Sequence, residues 1–366
     1  MAEQKKQANA CPYAKKCGGC DYQGKPYEEQ LKEKQDYVRK TLKGICGVLP
    51  IIGMEDPYHY RNKVHAVFDI VKGGKRGTNK GMKSKTSGAA AGTIISGVYK
   101  AGTHDVVNID ECMIEDAKAD AIIRDIRNLL RSFKIKTYDE DTGYGLLRHV
   151  LIRFGFTTKE IMVCLIINGK KLPAQDELVS ALADLEGMTS ISMNINQANT
   201  NVILGNETEC IWGQPYITDY IHLRETGSSL EGTADEFGLT DTAVAYRISP
   251  QSFYQGNPVQ TEKLYAKAME YAGLTGKEVV LDAYCGTGTI GMIASDHAKE
   301  VIGVELNKDA VKDAVSNAKR NEISNIRFYQ NDAGKFLVDM AEKGMKLDVL
   351  LMDPPRSGSD ETFLSS

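Results

Sequence analysis

The most restrictive feature of this sequence is the alternation of short apolar segments with helical stretches between residues 278 and 356. Strands that alternate with helices pair in parallel, and the helices pack on both faces of the sheet. The pattern predicts an α/β fold with a Rossmann-like, doubly wound domain over residues 241–366. The predicted strands are 278–282, 301–304, 326–329 and 347–352, and the predicted helices are 258–272, 289–297 and 308–321.

The preceding part of the chain follows another pattern, in which short apolar runs alternate with Gly- and Lys-rich turns. That pattern is typical of β-rich structure. It predicts an α+β domain over residues 44–240, with residues 1–43 as an N-terminal segment and a linker at 224–242, where Gly, Thr and acids are frequent. The predicted elements are helices at 26–43 and 113–135 and strands at 146–155, 160–167 and 189–195.

Composition excludes several classes of protein. Hydrophobic residues make up 42% and charged residues 26%, which is ordinary for a globular chain and unlike disordered or collagen-like chains. The net charge of −4 argues against a nucleic-acid binder that relies on charge alone. Between Arg61 and Gly88, however, eight basic residues accompany a single acid, Asp69. This basic stretch is either a solvated hairpin or a surface that contacts phosphates, and composition leaves both open.

The sequence shows no membrane or export signal. Its longest apolar run is far shorter than the ~20 residues that a spanning helix needs. The N-terminus lacks the apolar core of a signal peptide. We therefore predict a cytoplasmic protein, in which the eight cysteines are not read as disulfides.

Three cysteines cluster as Cys11-x5-Cys17-x2-Cys20, and Cys112 lies in a similarly polar setting. Four thiolates hold either a structural zinc ion or an iron–sulfur cluster. Zinc sites usually pair two short-spaced motifs, whereas the x5 arm and the single distant cysteine fit a cubane cluster better. Unrelated surface cysteines are the alternative. Cys164, within an apolar run, is predicted to be a small buried hydrophobic residue.

The segment from Gly286 to Gly291 satisfies the pattern G-x-G-x-x-G, which by itself also suits a dinucleotide site. The acid just before it, Asp282, would repel a pyrophosphate but suits the ammonium group of S-adenosylmethionine. Glu305, after the second strand, can accept both ribose hydroxyls. Asp332, after the third, can accept from the adenine amino group. Carboxylates that merely cap turns would explain any one of these acids, but not acids at successive strand ends.

The fourth predicted strand ends in Asp353-Pro-Pro-Arg356. Prolines stiffen such a loop, and Asp353 offers an acceptor to a planar nitrogenous base or to a catalytic neighbour. A dehydrogenase has no need of this motif. The sequence therefore favours a methyltransferase over an NAD-dependent enzyme.

Taken together, these motifs resemble the RNA uracil-5-methyltransferase family, which depends on S-adenosylmethionine, and within it the iron–sulfur branch that acts on 23S rRNA. The resemblance extends over nearly the whole chain from residue 11 onward. It is carried by Cys11–Cys20, Tyr60-Arg61-Asn62-Lys63, Ile109-Asp110-Glu111-Cys112, Gly145-Leu146-Leu147-Arg148-His149, Ser249–Asn257 with its Phe253-x-Gln255-x-Asn257, Asp282–Gly288 and Asp353-Pro-Pro-Arg356.

The resemblance implies a 4Fe-4S cluster and a methyl-donor site at matching positions. The implied cluster ligands are Cys11, Cys17, Cys20 and Cys112. The implied contacts to S-adenosylmethionine are Gln255, Tyr284, Thr289, Glu305, Asp332 and Asp353. The implied partner is RNA, 23S rRNA in particular, with no DNA and no membrane, and the chain is expected to be a monomer.

The resemblance also implies a mechanism that needs residues the sequence does not show. Uracil C5 is a weak nucleophile, so a cysteine thiolate adds to C6 and the enolate attacks the methyl group. A general base then removes the C5 proton. The family's nucleophile lies in a Ser-Cys-Asn-Pro motif beyond the strand that follows Asp-Pro-Pro-Arg, and no such motif occurs here. Cys285 is no substitute, because it belongs to the Gly-rich turn.

The last residue of the sequence, Ser366, comes only ten positions after Arg356. We therefore expect the nucleophilic cysteine and the general base to lie beyond Ser366. The expected chain is a C-terminally truncated one, in which Asp353 has a supporting role and methylation is not completed. Family members often carry an N-terminal RNA-binding β-barrel, the TRAM domain, and we expect it to be absent.

Three alternatives to an iron–sulfur enzyme that acts on 23S rRNA remain open. The first is a catalytically inactive RNA-binding remnant. The second is a tRNA uracil-5-methyltransferase. The third is an RNA methyltransferase that holds zinc in place of the iron–sulfur cluster.

Overall fold

The structure is a computed structural model, and it describes residues 11–71, 92–222 and 243–365. The chain divides into two compact units. The first contains residues 1–153 and 162–214, and the second contains residues 154–161 and 215–366. In this division residues 1–43 belong to the same unit as the sheet that follows them. The predicted division into three domains stays a prediction. No helix of the described residues is long and apolar enough to cross a membrane.

The first unit is built on a seven-stranded sheet. Its strands are β1 (Lys63–Ile70), β2 (Ile94–Tyr99), β3 (Val106–Asn108), β4 (Leu147–Phe154), β5 (Ile161–Ile167), β6 (Met188–Ile195) and β7 (Glu207–Gly213). Their order across the sheet is β3-β2-β1-β4-β5-β6-β7, and β1 pairs antiparallel with both β2 and β4. Strands β4 and β5 are buried along their whole length, and Cys164 is buried within the continuous apolar run of β5, as predicted.

The helices of this unit are α1 (Tyr27–Thr41), α2 (Ala117–Ser132) and α3 (Gln175–Ala183). Asp116 caps α2 by accepting a hydrogen bond from the amide of Lys118 over 2.8 Å, which satisfies one of the free amides of its first turn. The apolar face of α2 is buried, as its periodicity predicts. The N-cap explains why the helix begins four residues later than predicted.

The second unit is the predicted doubly wound domain. Its parallel sheet consists of β10 (Val279–Ala283), β11 (Glu300–Glu305), β12 (Ile326–Gln330) and β13 (Val349–Met352). The order is β12-β11-β10-β13, and all of these strand pairs are parallel. The helices are α4 (Pro258–Ala272), α5 (Thr289–Ser295), α6 (Lys308–Arg320), α7 (Ala333–Glu342) and α8 (Glu361–Ser365).

A separate antiparallel hairpin of β8 (Ile217–Ile221) and β9 (Val244–Ile248) also belongs to the second unit. The sequence pattern did not predict this hairpin, nor α3, β7, α7 and α8.

Several of the sequence predictions fall outside the described residues. Most of the basic stretch, from Lys72 to Lys85, and nearly all of the predicted linker lie there, as do residues 1–10. Ser366 also lies outside the described residues. The expectation that the nucleophile and the base lie beyond Ser366 therefore stays a prediction, and so does the truncation of the domain.

Candidate functional site

The turn after β10 has a left-handed backbone at three positions. Tyr284, Gly286 and Gly288 have φ values of 64°, 56° and 81°, which glycine adopts freely and other residues only rarely. Because two of the three lack side chains, the turn presents mainly backbone to the space beyond the carboxyl end of the sheet. A ligand can therefore approach this backbone closely.

Packing also requires glycine here. A Cβ atom on Gly288 would lie 2.7 Å from Cζ of Phe328, and one on Gly303 would collide with the same ring. Phe328 belongs to β12, so the aromatic ring fills the volume that two side chains would otherwise occupy. The sequence pattern pointed only to ligand access, whereas the structure adds a second reason for these glycines.

Asp282 is buried at the end of β10, with 1% of its surface exposed. Its Oδ2 accepts a hydrogen bond from the amide of Gly291 over 2.8 Å. Burial, and then the nearby carboxylates of Asp353 and Glu305, raise the pKa of Asp282 to about 7. A cation bound beside these groups would relieve their repulsion and favour the ionised form.

A carboxylate lies at or just beyond the carboxyl end of every strand of the parallel sheet. Asp332, Glu305, Asp282 and Asp353 come at or just after the ends of β12, β11, β10 and β13, in the spatial order of the strands. Because parallel strands end at one edge, the fold brings all four predicted acids to the same edge of the sheet. The arrangement is an anionic rim that suits a cationic ligand with hydroxyl and amino groups.

Two of these carboxylates also have local partners. Glu305 accepts from the amide of Gly286 over 3.1 Å and from the amide of Asn307 over 2.7 Å. Asp332 is the N-cap of α7 and accepts from the amide of Lys335 over 3.1 Å. Local capping therefore accounts for part of their placement, and it orients both side chains at the rim.

The segment that carries Gln255 is held against the Gly-rich turn. The hydroxyl of Thr287 donates to the carbonyl oxygen of Phe253 over 3.3 Å, and it lies 3.4 Å from the hydroxyl of Thr289. The side chain of Gln255 is hydrogen-bonded to Tyr265. The structure thus brings Gln255 and Thr289 into one region, although they are far apart in sequence.

Tyr284 turns its ring toward the last described residues. Its hydroxyl donates to Oγ of Ser359 over 3.2 Å, and its ring lies 5.4 Å from that of Phe363. Asp353, which follows β13, is exposed. The segment after β13 therefore folds back beside the Gly-rich turn.

Two asparagines of the second unit fasten β9 to α6 and the residue after it. The side chain of Asn321 accepts from the amide of Ala245 and donates to its carbonyl oxygen, both over 2.8 Å. Oδ1 of Asn317 accepts from the amide of Arg247 over 3.0 Å. Asn317 and Asn321 are four residues apart on a helical surface. This four-residue spacing was the one feature of the sequence that could have indicated the attachment, and it was not recognised.

Buried polar groups support the Gln255 segment. The hydroxyl of Tyr254 donates to Asp219 over 3.4 Å, and the hydroxyl of Tyr246 donates to the carbonyl oxygen of Thr289 over 3.2 Å. Asp219 is fully buried, and burial raises its pKa to about 6. Asp219 and Tyr246 were not singled out from the sequence, because their roles depend on the hairpin.

Cys285 does not have the properties of a nucleophile. It is buried in the Gly-rich turn with 7% of its surface exposed. Burial, and then the carboxylates of Asp282 and Glu305, raise the pKa of its thiol well above the usual range. Because the thiolate is the reactive form of cysteine, this environment supports the interpretation that Cys285 is not the nucleophile.

In the first unit, residues 11–20 form a compact loop, the thiol loop. The amide of Gly18 donates to the carbonyl oxygen of Tyr99 over 3.2 Å, and a Cβ atom on Gly18 would lie 2.8 Å from that oxygen. The hydroxyl of Tyr13 accepts from the amide of Asp110 over 3.2 Å. The loop is thereby tied both to the end of β2 and to the segment that contains Cys112.

The segment around Cys112 is held by α2. Oδ2 of Asp120 accepts from the amide of Cys112 over 2.8 Å. The guanidinium of Arg127 lies 2.8 Å from the carboxylate of Asp110 and also donates to the side chain of Asn108 over 3.1 Å. These bonds fix the backbone that presents the fourth cysteine.

The four predicted thiols occupy partly buried positions. Burial, followed by the charge of Cys17, raises the pKa of Cys20, and Cys11 contributes in the same direction. Burial and the carboxylate of Glu115 raise the pKa of Cys112 to about 12. These four thiols suit a four-thiolate metal site, and a bound metal cation would favour their deprotonated form. In residues 11–71, 92–222 and 243–365, however, no group of three or more His, Cys, Asp or Glu side chains is arranged to hold a metal ion.

Comparison with known proteins identifies the second unit's fold. A family model described as "Methyltransferase domain" matches residues 274–356. The solved structure of tRNA (uracil-54, C5)-methyltransferase from Pyrococcus abyssi, in complex with S-adenosyl-L-homocysteine, matches 93% of this chain and 70% of its own, with a TM-score of 0.68 and 22% identity. That similarity shows a common fold.

Closer relatives are bacterial proteins described as uncharacterized RNA methyltransferases. The protein from Clostridium acetobutylicum is 40% identical over 365 residues, which are 97% of this chain and 71% of the relative. The protein from Clostridium tetani is 38% identical over 361 residues, 97% of this chain and 70% of the relative. With this identity over nearly its whole length, the chain belongs to the family of RNA methyltransferases that these bacterial proteins represent.

Proposed function

We propose that this chain provides the donor site and the RNA-binding part of an RNA uracil-5-methyltransferase that acts on 23S rRNA. The observation that carries the proposal is the rim of four carboxylates beside a Gly-rich turn of left-handed backbone. The matched methyltransferase domain contains this rim. It supports S-adenosylmethionine as the methyl donor.

The donor site is assigned to side chains of the second unit. When bound, S-adenosylmethionine supplies the methyl group from its sulfonium. Asp282 balances the ammonium group, Glu305 accepts the ribose hydroxyls, and Asp332 accepts from the adenine amino group. Gln255 and Asp353 are assigned as further contacts to the donor, and Asp353 also offers an acceptor to the target base or to a catalytic neighbour. Tyr284 and Thr289 complete the wall that the Gly-rich turn begins.

The first unit is assigned to RNA and to the cluster. Cys11, Cys17, Cys20 and Cys112 are proposed as ligands of a 4Fe-4S cluster with a structural role, because the thiol loop, β2 and α2 hold them in partly buried positions. Zinc is the competing occupant of the same thiolates. The prediction of 23S rRNA over tRNA follows from the cysteines. The cytoplasmic location and monomeric state stay predictions.

The covalent step is not assigned to any of the eight cysteines. Cys285 is the only cysteine of the second unit, and its thiol is buried with a raised pKa. We therefore propose that the 366-residue chain binds donor and RNA but forms no adduct with uracil C6 and no 5-methyluridine.

Measurements of binding and of methylation test this proposal. Calorimetry should detect binding of S-adenosylmethionine by the chain and loss of binding in the variant Glu305→Ala, with the exposed Glu270→Ala as control. Incubation of unmodified 23S rRNA and tRNA transcripts with methyl-labelled donor, followed by nucleoside analysis, should give no 5-methyluridine. Competition between the transcripts should show tighter binding of 23S rRNA.

Each outcome has a distinct meaning. Absence of donor binding would favour an RNA-binding remnant. Labelled 5-methyluridine would refute the statement that none of these cysteines serves as nucleophile. Tighter binding of tRNA would overturn the rRNA assignment. Iron and sulfide analysis of anaerobically purified protein, compared with Cys112→Ser, separates the cluster from zinc.

A further inference from the structure

The first unit contains a cavity of about 670 Å³ that is lined by none of the residues of the donor site. It lies on one face of the seven-stranded sheet, beside the thiol loop. All of its lining residues belong to the first unit. We call it the sheet cavity. Its lining includes His65, Tyr99, His104, His149, Asn201 and Ile203.

The back wall of the sheet cavity carries two histidines. His65 lies on β1 and His149 on β4, and the register pairs His149 with Val67 and His65 with Leu151. Residues paired directly across antiparallel strands share a face, so His149 lies on the face of Val67. His65 is two residues before Val67 on the same strand and shares that face, so both rings lie on the same side of the sheet. This meeting depends on the pairing of two strands that are far apart in sequence.

Both histidines are neutral at neutral pH. Burial and then the charge of Lys63 lower the pKa of His65 to about 3, and burial and then Arg148 lower that of His149 to about 4. Among the described residues, Nδ1 of neither ring has a hydrogen-bond partner. Uncharged imidazole rings are flat surfaces with donor and acceptor nitrogens.

The mouth of the sheet cavity adds aromatic and polar groups. The rings of Tyr99 and His104 lie 5.5 Å apart at an angle of 57°. Lys100 follows Tyr99 and is exposed. On the other side stands Asn201, also exposed, in a loop that Asn196 fixes by donating to the carbonyl oxygens of two residues, 202 and 203.

These features favour a flat, polar, heteroaromatic occupant. A nucleobase stacks on aromatic side chains through either face, and proteins that recognise RNA bind unpaired bases in this manner. The cavity volume falls within the range of ordinary small-ligand pockets, so a nucleotide fits. The lining contains one cation, Lys100, and one carboxylate, Glu140, and exposed Lys100 suits the phosphate that an RNA strand would carry outside the cavity.

We propose that the sheet cavity binds one unpaired nucleotide of the RNA substrate, at a position other than the base that is methylated. The proposal rests on the RNA substrate of the proposed function, and it adds a second recognition site in the first unit. The base enters between Tyr99 and the wall of His65 and His149, and its edge meets Asn201. Selection of the RNA then depends on an unpaired base outside the target uridine.

The test uses the 366-residue chain and the fluorescent nucleotide 2-aminopurine riboside 5′-monophosphate, whose emission falls when the base stacks. Saturating S-adenosylhomocysteine keeps the probe out of the donor site. Asn201→Trp fills the mouth, and Val202→Trp is the matched control, because Val202 is 63% exposed and does not line the cavity. His104→Ala removes one ring.

The wild-type chain and Val202→Trp should bind the probe equally. His104→Ala should bind it about tenfold more weakly, the size expected for loss of one stacking contact, and Asn201→Trp should bind it at least as weakly, because the new side chain occupies the space that the base would enter. Donor binding should be unchanged in all of them, which shows that the second unit is folded, and an unchanged circular dichroism spectrum and unfolding midpoint should show the same of the first unit.

Equal binding by Asn201→Trp and Val202→Trp would overturn the sheet cavity as the site and leave the proposed function standing. Failure of the wild-type chain to bind any of the four natural nucleoside monophosphates in competition would also overturn it. Failure of the wild-type chain to bind RNA would instead contradict the proposal that its substrate is RNA.

Discussion

The carboxylate of Asp282 joins β10 to α5 through the amide of Gly291, over 2.8 Å and almost out of contact with solvent. The same carboxylate lies near two other acids of the rim, Glu305 and Asp353, which help to raise its pKa to about 7. One side chain therefore serves a structural bond and an electrostatic site, and both are favoured by its negative charge, which its burial opposes.

Donor binding should depend on pH through Asp282. An ammonium group binds the ionised carboxylate, so affinity for S-adenosylhomocysteine should increase about tenfold from pH 6 to pH 8, as the carboxyl deprotonates around pH 7. Asp282→Asn should weaken binding and remove this dependence, whereas the exposed Asp309→Asn should keep it. Calorimetry measures both. Methylthioadenosine, which lacks the ammonium group, should bind without the pH effect. The same pH effect with that ligand would contradict the placement of the ammonium.

Stability without donor should change with pH in the opposite direction. The pKa of Asp282 in the folded protein lies above the ordinary aspartate value of 3.8, so its stabilising contribution is complete below 3.8 and is lost as pH rises through about 7. Asp282→Asn is neutral throughout. Its free energy of unfolding relative to wild type should therefore rise by about 3 kcal/mol between pH 5 and pH 8. Urea unfolding at both pH values measures this, and a difference that stays constant would show that Asp282 ionises normally.

Phe328 should control the tolerance of the glycines beside it. Gly303→Ala should destabilise the protein by about 1–3 kcal/mol, the usual cost of overpacking. Phe328→Leu should relieve much of that cost in the double variant. Gly288→Ala should be relieved less, because its φ of 81° remains strained with any side chain. Denaturant unfolding of the single and double variants gives the coupling energies. Equal relief at both glycines would mean that backbone strain at Gly288 is negligible.

Asn321 should be necessary for the attachment of β9. Asn321→Ala removes two hydrogen bonds to Ala245 and should cost about 2 kcal/mol. Amide hydrogen exchange at Ala245 should accelerate, while exchange in β11 should stay slow. Lys319→Ala, an exposed change on the same helix, is the control. Uniform acceleration across the second unit would indicate global rather than local opening.

The sequence predicted the elements whose signals are local. The parallel strands, the Gly-rich turn and the carboxylates that follow the strands could be predicted because periodicity and strand order place them at one edge. The buried run of β5 was likewise a continuous apolar segment. In these cases neighbouring residues contain the whole signal.

The parts that were missed depend on distant contacts. The hairpin of β8 and β9 brings together residues on either side of residues 223–242, so neither strand shows its partner in sequence. The packing of Phe328 against Gly288 and Gly303 requires the order of three strands. The wall formed by His65 and His149 requires the pairing of β1 with β4. No single-sequence pattern contains such information.

The attachment of β9 to Asn317 and Asn321 has a consequence for how the donor site can move. Helix α6 begins three residues after Glu305, and β9 leads into the segment of Gln255. Because the two asparagines fix this helix to that strand, the part of the donor site at Glu305 and the part at Gln255 form one rigid frame. Neither part can move toward the ligand alone, so a ligand that displaces one part also displaces the other.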